Sequence, residues 1–271
     1  MSQATTVTTP TAAESVHVRT HGDVAPTEVD YARTRAEAVL RYARDPVLFF
    51  RVKLTRLTDP ALARPAVAQA NLDLNGRLVR AQVARPSMRE AIDEVHDRLR
   101  DRLQRGAGHW EAIRGGRPWE EPHEWRHASL ATERPPYFPR AVNERQIIRH
   151  KAFSLPRMTV DEAAFDMDML DYGFHPFIED GSGVDSVLYR TDDGVGYRLA
   201  QVHVRPDHVI VGITPVTISP LPAVRLTVEE ATHRLNENGL PFVFFRDAES
   251  GRGCVVYHRY DGHYGLITPA D

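Results

Sequence analysis

Residues 159–194 align without a gap onto residues 227–262, at a constant offset of 68. Thr159, Val160, Glu162, Ala163, Phe174, Phe177, Ser182, Gly183, Val187, Tyr189, Asp193 and Gly194 recur in the second copy, 12 identities in 36 positions. After a one-residue slip, Tyr197 and Leu199 meet Tyr264 and Leu266. Each copy reads as a helix, a strand, a Ser-Gly turn, a strand, an Asp-Gly turn and a last strand. The starts Thr159-x-x-Glu162 and Thr227-x-x-Glu230 are capping boxes. A unit of about fifty residues is small for an independent core, and two copies in one chain can cover each other's apolar face. The pattern therefore predicts two tandem α+β repeats, 149–201 and 222–271, forming a pseudo-dimer around Phe174, Phe177, Phe242 and Phe245, with 202–221 as a linker.

Upstream, the periodicity changes. Val16 and Val18 alternate with His17 and Arg19 in a short strand. Pro26 to Arg44 places Ala32, Ala36, Val39 and Ala43 at helical spacing. Three period-two segments follow: Val47–Leu57, Val67–Leu74 and Arg77–Ala84, the last two joined by Asn75-Gly76, a tight-turn signal. Ser87 can cap a final helix with Met88, Ile92, Val95, Leu99 and Leu103 on one stripe. The order β-α-β-β-β-α puts both helices on one sheet face and leaves the other open and polar. This first domain spans 15–106. Residues 1–14 read as a disordered tail without a secretory signal, and 107–148 as a Gly/Pro-rich linker.

No stretch approaches the ~20 apolar residues of a membrane span. Cys254 is the single cysteine among 271 residues, which excludes an intrachain disulfide and fits a reducing cytoplasm. Net charge is −3, but unevenly distributed. Residues 1–150 hold 24 Lys and Arg against 19 Asp and Glu, whereas 151–271 hold 10 against 18. Such asymmetry points to a nucleic-acid-facing half and a half with other business.

The segment from Arg80-Ala81 through Met88 to Ala91-Ile92-Asp93, followed by Asp97, Leu99 and Leu103, resembles the N-terminal domain of bacterial ribosome hibernation-promoting factors. The repeat resembles the C-terminal domain of that family's long form, through Met158-Thr159-Val160-Asp161-Glu162-Ala163 in the first copy. In the second copy the marks are Phe244 to Gly251, Tyr257, Tyr260-Asp261-Gly262 and Tyr264-Gly265-Leu266-Ile267. Ordinary long forms carry one C-terminal copy; two copies resemble a subgroup linked to dormancy or hypoxia. The first copy departs from the second at Ile178-Glu179-Asp180-Gly181, against Arg246-Asp247-Ala248-Glu249.

The resemblance implies a stress-response protein that binds the 30S subunit of idle 70S ribosomes, over 16S rRNA in the mRNA and tRNA channel. It implies occlusion and no catalysis, with no cofactor, metal or small-molecule substrate. Candidate phosphate-binding residues are Arg33, Arg41 and Arg44 on and after the first helix, Arg51, Lys53 and Arg80 on the open face, Arg77 in the hairpin, and Arg98, Arg102 and Arg105 along the last helix. Guanidinium arrays suit phosphate, yet Glu94, Asp97 and Asp101 share that helix, so a solvated salt-bridged face stays open. In the long form, single C-terminal domains pair between ribosomes and join them into 100S dimers. Here a short flexible tether would hold the two copies at millimolar effective concentration, favouring closure within the chain, no homodimer and single 70S particles. The acidic second half should prefer ribosomal proteins to bare RNA.

Two further features carry less. His123-Glu124-Trp125-Arg126-His127 has zincin spacing but lies in a Pro/Arg-rich stretch without a helical frame or a third ligand. Trp110, Trp119 and Trp125 could stack on bases or dock on a domain. The alternative function is an RNA-binding stress-signalling adaptor whose repeats hold a protein partner.

Overall fold

The computed structural model describes residues 16–58, 62–114, 140–191, 196–212, 214–259 and 261–270. Contacts divide the chain into two compact units, one built on the first 114 residues and one on the repeats; Met169–Asp171 group with the first.

In the first unit the elements run β1 (Val16–His21), α1 (Pro26–Leu40), β2 (Val47–Arg56), β3 (Ala66–Leu74), β4 (Arg77–Arg85) and α2 (Met88–Arg114). The sheet order is β1-β2-β3-β4, with β1 parallel to β2 and the remaining pairs antiparallel. Period-two alternation sends Phe50, Val52 and Leu54 of β2 to one face, where they meet Ala32, Ala36 and Val39 of α1 and Val95 and Leu99 of α2. Asn75, at φ 53, and Gly76, at φ 88, make the hairpin turn that their Asn-Gly sequence predicts. The helices are tied by a polar seam: the Tyr31 hydroxyl donates to Asp93 at 2.5 Å, and Arg35 Nε lies 2.9 Å from the same carboxylate. α2 ends at Arg114, eight residues past the boundary that the loss of apolar periodicity suggests.

In the second unit the first strand is β5 (Ile147–Phe153), which starts in the last two residues of the stretch read as linker. Repeat 1 follows as β6 (Arg157–Met158), α3 (Val160–Met169), β7 (Phe174–Glu179), β8 (Asp185–Arg190) and β9 (Tyr197–Gln201). Then come β10 (Val216–Ile218) and repeat 2: β11 (Arg225–Leu226), α4 (Val228–Glu237), β12 (Phe242–Asp247), β13 (Gly253–His258) and β14 (Tyr264–Pro269). Both capping boxes form, Thr159 and Thr227 each accepting from the backbone of the Glu three residues on.

The two five-stranded sheets run β10-β9-β8-β7-β6 and β11-β12-β13-β14-β5. At the 68-residue offset β5 and β10 are equivalent lead strands, and they are exchanged. The strand before repeat 1 pairs parallel with the last strand of repeat 2, Leu266 opposite His150. The strand before repeat 2 pairs with the last strand of repeat 1, Leu199 opposite Ile218. Each copy thereby covers the open edge of the other's sheet.

Each sheet has a helix on one face. Val160, Ala163 and Ala164 of α3 bury Phe177, Leu188 and Leu199; Ala231 and Leu235 of α4 bury Phe245, Val256 and Leu266. The opposite faces meet each other. Phe174 and Phe242 stand 4.6 Å apart between ring centroids, and Tyr189 packs edge-on to Phe242. Phe177 and Phe245 are therefore corrected from pairing residues to the private core of each repeat. On a strand, residues three apart point to opposite faces, so Phe174 and Phe177 cannot share one.

The segment between the repeats is no loose tether either. Besides β10, it makes a 3-10 turn at Pro206–His208 and donates backbone N–H groups to repeat 1: Ile210 to Glu179 at 2.9 Å, Thr214 to Asp161 at 2.9 Å and Ser219 to Leu199 at 2.8 Å. The segment is a strap across the first copy.

Candidate nucleic-acid interface

The helix-free face of the first sheet is built by strand register. Residues directly opposite on neighbouring strands share a face, so His17, Arg51, Asn71 and Arg80 form one rung across β1 to β4. Arg19, Lys53, Gln69 and Gln82 form the next. His17, Arg19 and Arg51 are exposed, and the rest of these two rungs are partly so. Asp73 shares the face, but its carboxylate turns into the hairpin and accepts the Gly76 N–H at 2.7 Å. β1 to β3 thus present long cations and amides, in two rungs two residues apart, that can donate to phosphate and to base edges. On β4 the Arg80 guanidinium is already turned to the Gln82 side chain and to Leu170 O at 3.4 Å. His17, Arg19, Gln69, Asn71 and Gln82 join the candidates read from sequence; the alternation within each strand already pointed them away from the core.

The α1 and hairpin candidates lie elsewhere. Arg33, Arg41, Arg44 and Arg77 are exposed. Arg33 lies 3.6 Å from Asp30, Arg77 lies 3.5 Å from Asp45, and Arg41 stacks 5.0 Å over the Tyr42 ring. Asn75 N–H donates to Pro46 O at 3.0 Å, which brings the hairpin to the start of β2 near Arg44.

The α2 candidates separate. Arg105 is partly exposed, its Nε donating to Asp101 O at 3.4 Å. Arg98 is largely covered and donates to Glu94 at 2.7 Å, the intrahelical pair that the acidic residues of this helix foreshadow. Arg102 is 3% exposed. It donates to Arg80 O at 2.6 Å and to Asp171 at 2.5 Å, within the same compact unit. Burial pulls its guanidinium pKa down, and Asp171 counters that pull. Arg102 lies three residues after Leu99 and seven after Val95, on the buried stripe itself. The basic stripe expected along α2 is therefore not a solvent-facing row. Breaking a buried ion pair of this kind costs about 3–5 kcal/mol, because one charge is left without a partner.

Among the described residues no group of three or more His, Cys, Asp or Glu is gathered to hold a metal, and His123–His127, Trp119 and Trp125 lie outside them. Cys254 is buried, and that burial pushes its thiol up to about 12, with Asp247 and Asp185 adding to the effect. Such a thiol is a core side chain and a poor nucleophile. Among the described residues no helix is long and apolar enough to cross a membrane.

Comparison with known proteins agrees with this architecture. The family model for the sigma 54 modulation/S30EA ribosomal protein C terminus matches twice, at residues 142–199 and 216–266. Both matches take in the lead strand, so the repeating unit includes β5 or β10. The dormancy associated translation inhibitor of Mycobacterium tuberculosis is 34% identical over 215 residues, covering 76% of this chain and 71% of that protein. The chain belongs to the ribosome hibernation factor family. The ribosome hibernation promotion factor of a Picosynechococcus species is 23% identical over 176 residues, 64% of this chain and 88% of that one. That of Staphylococcus aureus matches more locally, 42% over 52 residues, or 19% of this chain and 27% of its own. Among solved structures, the N-terminal domain of Thermus thermophilus Protein Y aligns with 33% of this chain and 96% of its own, at 23% identity and a TM-score of 0.28.

Proposed function

We propose that this chain is a ribosome hibernation factor that lies in the mRNA and tRNA channel of the 30S subunit in idle 70S ribosomes and blocks translation by occupying it. The observation that carries the reading is the pair of cationic and amide rungs across the open sheet face. Such a face binds the phosphates of folded 16S rRNA without demanding a sequence, and leaves two helices as bulk to fill the channel. The factor acts as a plug and needs no catalysis. Its acidic second unit avoids RNA phosphate and docks on ribosomal protein. Because the lead strands are exchanged and the two sheets pack face to face within one chain, the face through which copies pair is already taken and is not offered to a second ribosome. The factor therefore holds single 70S particles.

The test leaves the buried Arg102 alone. Arg51→Glu/Lys53→Glu changes two exposed or half-exposed side chains on adjacent rungs and should keep the fold. In a pelleting assay at ~150 mM salt the double variant should stay in the supernatant while the parent sediments with 70S. The slope of log K against log salt should fall by about 0.7–0.9 per phosphate contact removed. Unchanged pelleting would move the RNA surface elsewhere, and binding of free RNA without ribosomes would favour the adaptor reading.

A further inference from the structure

The two repeats meet at a position where their sequences differ in a complementary way. Asp185 opens β8 of repeat 1 and its side chain is mostly covered. It accepts Arg252 Nε at 2.8 Å and a second guanidinium nitrogen at 3.3 Å, and the backbone N–H of Gly253 at 2.8 Å. All three donors belong to repeat 2. A Cβ placed on Gly253 would stand 2.8 Å from Asp185 Cβ, closer than real Cβ atoms approach. At the 68-residue offset, Val184-Asp185 of repeat 1 is the equivalent of Arg252-Gly253 of repeat 2. The contact thus lies between equivalent positions across the pseudo-twofold axis of the pair.

We propose that Val184-Asp185 and Arg252-Gly253 form a matching code that lets repeat 1 mate only with an Arg-Gly copy and repeat 2 only with a Val-Asp copy, so that the C-terminal unit rejects like copies from other chains. Putting repeat 1 against another repeat 1 would set Asp185 against Asp185, two carboxylates and two Cβ atoms where there is space for one, with no cation opposite. Putting repeat 2 against another repeat 2 would leave room at two glycines but face two guanidinium groups with no carboxylate. Only the mixed pair offers one charge of each sign, a bidentate geometry and the missing Cβ together. Specificity of this kind comes from penalties on the wrong partner as much as from the right contact. The exchanged lead strands hold the two copies together; the code decides which copies they are. A chain carrying both halves satisfies itself.

The proposal rests on the closed pair described under the proposed function and not on ribosome binding, so the experiment uses the full-length protein free of ribosomes. Val184→Arg/Asp185→Gly gives a chain with two Arg-Gly copies; Arg252→Val/Gly253→Asp gives one with two Val-Asp copies; the fourfold exchange reverses the code. Masses by sedimentation equilibrium and urea denaturation midpoints are compared. The parent and the fourfold variant should be monomers with similar midpoints. Each twofold variant should show a lowered midpoint. Refolded together in equal amounts, the two should form mixed dimers in preference to self-dimers by at least roughly tenfold. Should either twofold variant fail to fold, the fourfold variant decides. A midpoint near the parent's supports the code, and one no better than the twofold variants overturns it. Twofold variants that stay monomeric at the parent's midpoint, or that mix at random, overturn it as well.

Discussion

Where repeat 2 has Val243, Asp247, Glu249 and Cys254, repeat 1 has His175, Glu179, Gly181 and Ser186. The backbone elements are the same, and so is the helix-side core of Phe177 or Phe245 under its helix. The difference follows from what the chain does next. Repeat 1 is followed by the strap; Glu179 and Gly181 receive it directly, and Ser186 stands behind Gln201, which also meets it. The Glu179 side chain is fully buried and accepts N–H groups from Ser182 at 2.7 Å, Ile210 at 2.9 Å and Gly181 at 3.2 Å. Burial would raise its pKa, but these hydrogen bonds outweigh that and hold it below the usual carboxylate range. Gly181 is glycine because the His208 carbonyl oxygen of the strap lies 2.2 Å from where a Cβ would stand. Gln201 bridges Ser182 at 3.0 Å and Ser186 at 3.3 Å, and its own oxygen accepts the Arg205 N–H of the strap at 3.0 Å. In repeat 2 Asp247 only caps its own turn, accepting from the Ser250 backbone and hydroxyl at 2.8 and 2.7 Å. The first copy has not decayed; it has been refitted to a covering segment, and a buried polar network is the physical form of that refit.

The largest test of the comparison concerns what the copies share. Phe177→Ala and Phe245→Ala should each destabilise the second unit by about 3–5 kcal/mol, the cost of an emptied aromatic core site. Phe174→Ala at the sheet-to-sheet contact should cost less, about 1–2 kcal/mol. Equal losses for Phe174 and Phe177 in urea titrations would break the assignment of the two rings to different faces.

A second test concerns what the copies do not share. Burial pushes the His175 imidazole from its ordinary 6.5 to about 4, and Val243 occupies the same place in repeat 2. Between those two pH values the unfolded chain takes up a proton that the folded chain refuses. Stability therefore falls as pH drops through this window, by up to roughly 3 kcal/mol over its full width. His175→Val, which copies repeat 2, should flatten this part of the acid limb, read as the unfolding midpoint at pH 7 against pH 4.5. Parallel profiles for variant and parent would remove His175 as a source of acid sensitivity.

The smallest effect returns to shared features. Thr159→Ala and Thr227→Ala should each cost about 1 kcal/mol, because both capping boxes are formed. A smaller loss at Thr159 would mean that the strap's hydrogen bond from Thr214 to Asp161 shares in holding the start of α3.

What the sequence shows plainly is what local chemistry decides. The first sheet's element order, the Asn75-Gly76 hairpin and the capping boxes all rest on residues a few positions apart, and the equivalence of the copies shows as a repeat of such local patterns. The open rungs were half legible: alternation marks Arg51 and Lys53, while the neighbours that complete a rung depend on register between strands. Non-local pairing hid the rest. β10 has only three residues, and it is a strand because β9 is there to receive it. The strap looks like a linker until buried acceptors such as Glu179 are placed beneath it. Arg102 reads as part of a basic row when charge spacing alone is followed; its steps from Leu99 and Val95 already place it on the buried stripe, while its partner Asp171 is far off in sequence. The swapped parity of Phe174 and Phe177 was present in the sequence, since three residues along a strand is an odd step.

If the first unit plugs the small subunit as proposed and the exchanged repeats stay closed upon themselves, ribosomes that carry the protein remain single. The most direct test is a sucrose-gradient profile of ribosomes mixed with saturating full-length protein. The protein should co-migrate with a 70S peak, and no faster ribosome peak should form. A 100S peak that carries the protein would contradict this, since two ribosomes can be joined only if the paired repeats open to a second chain.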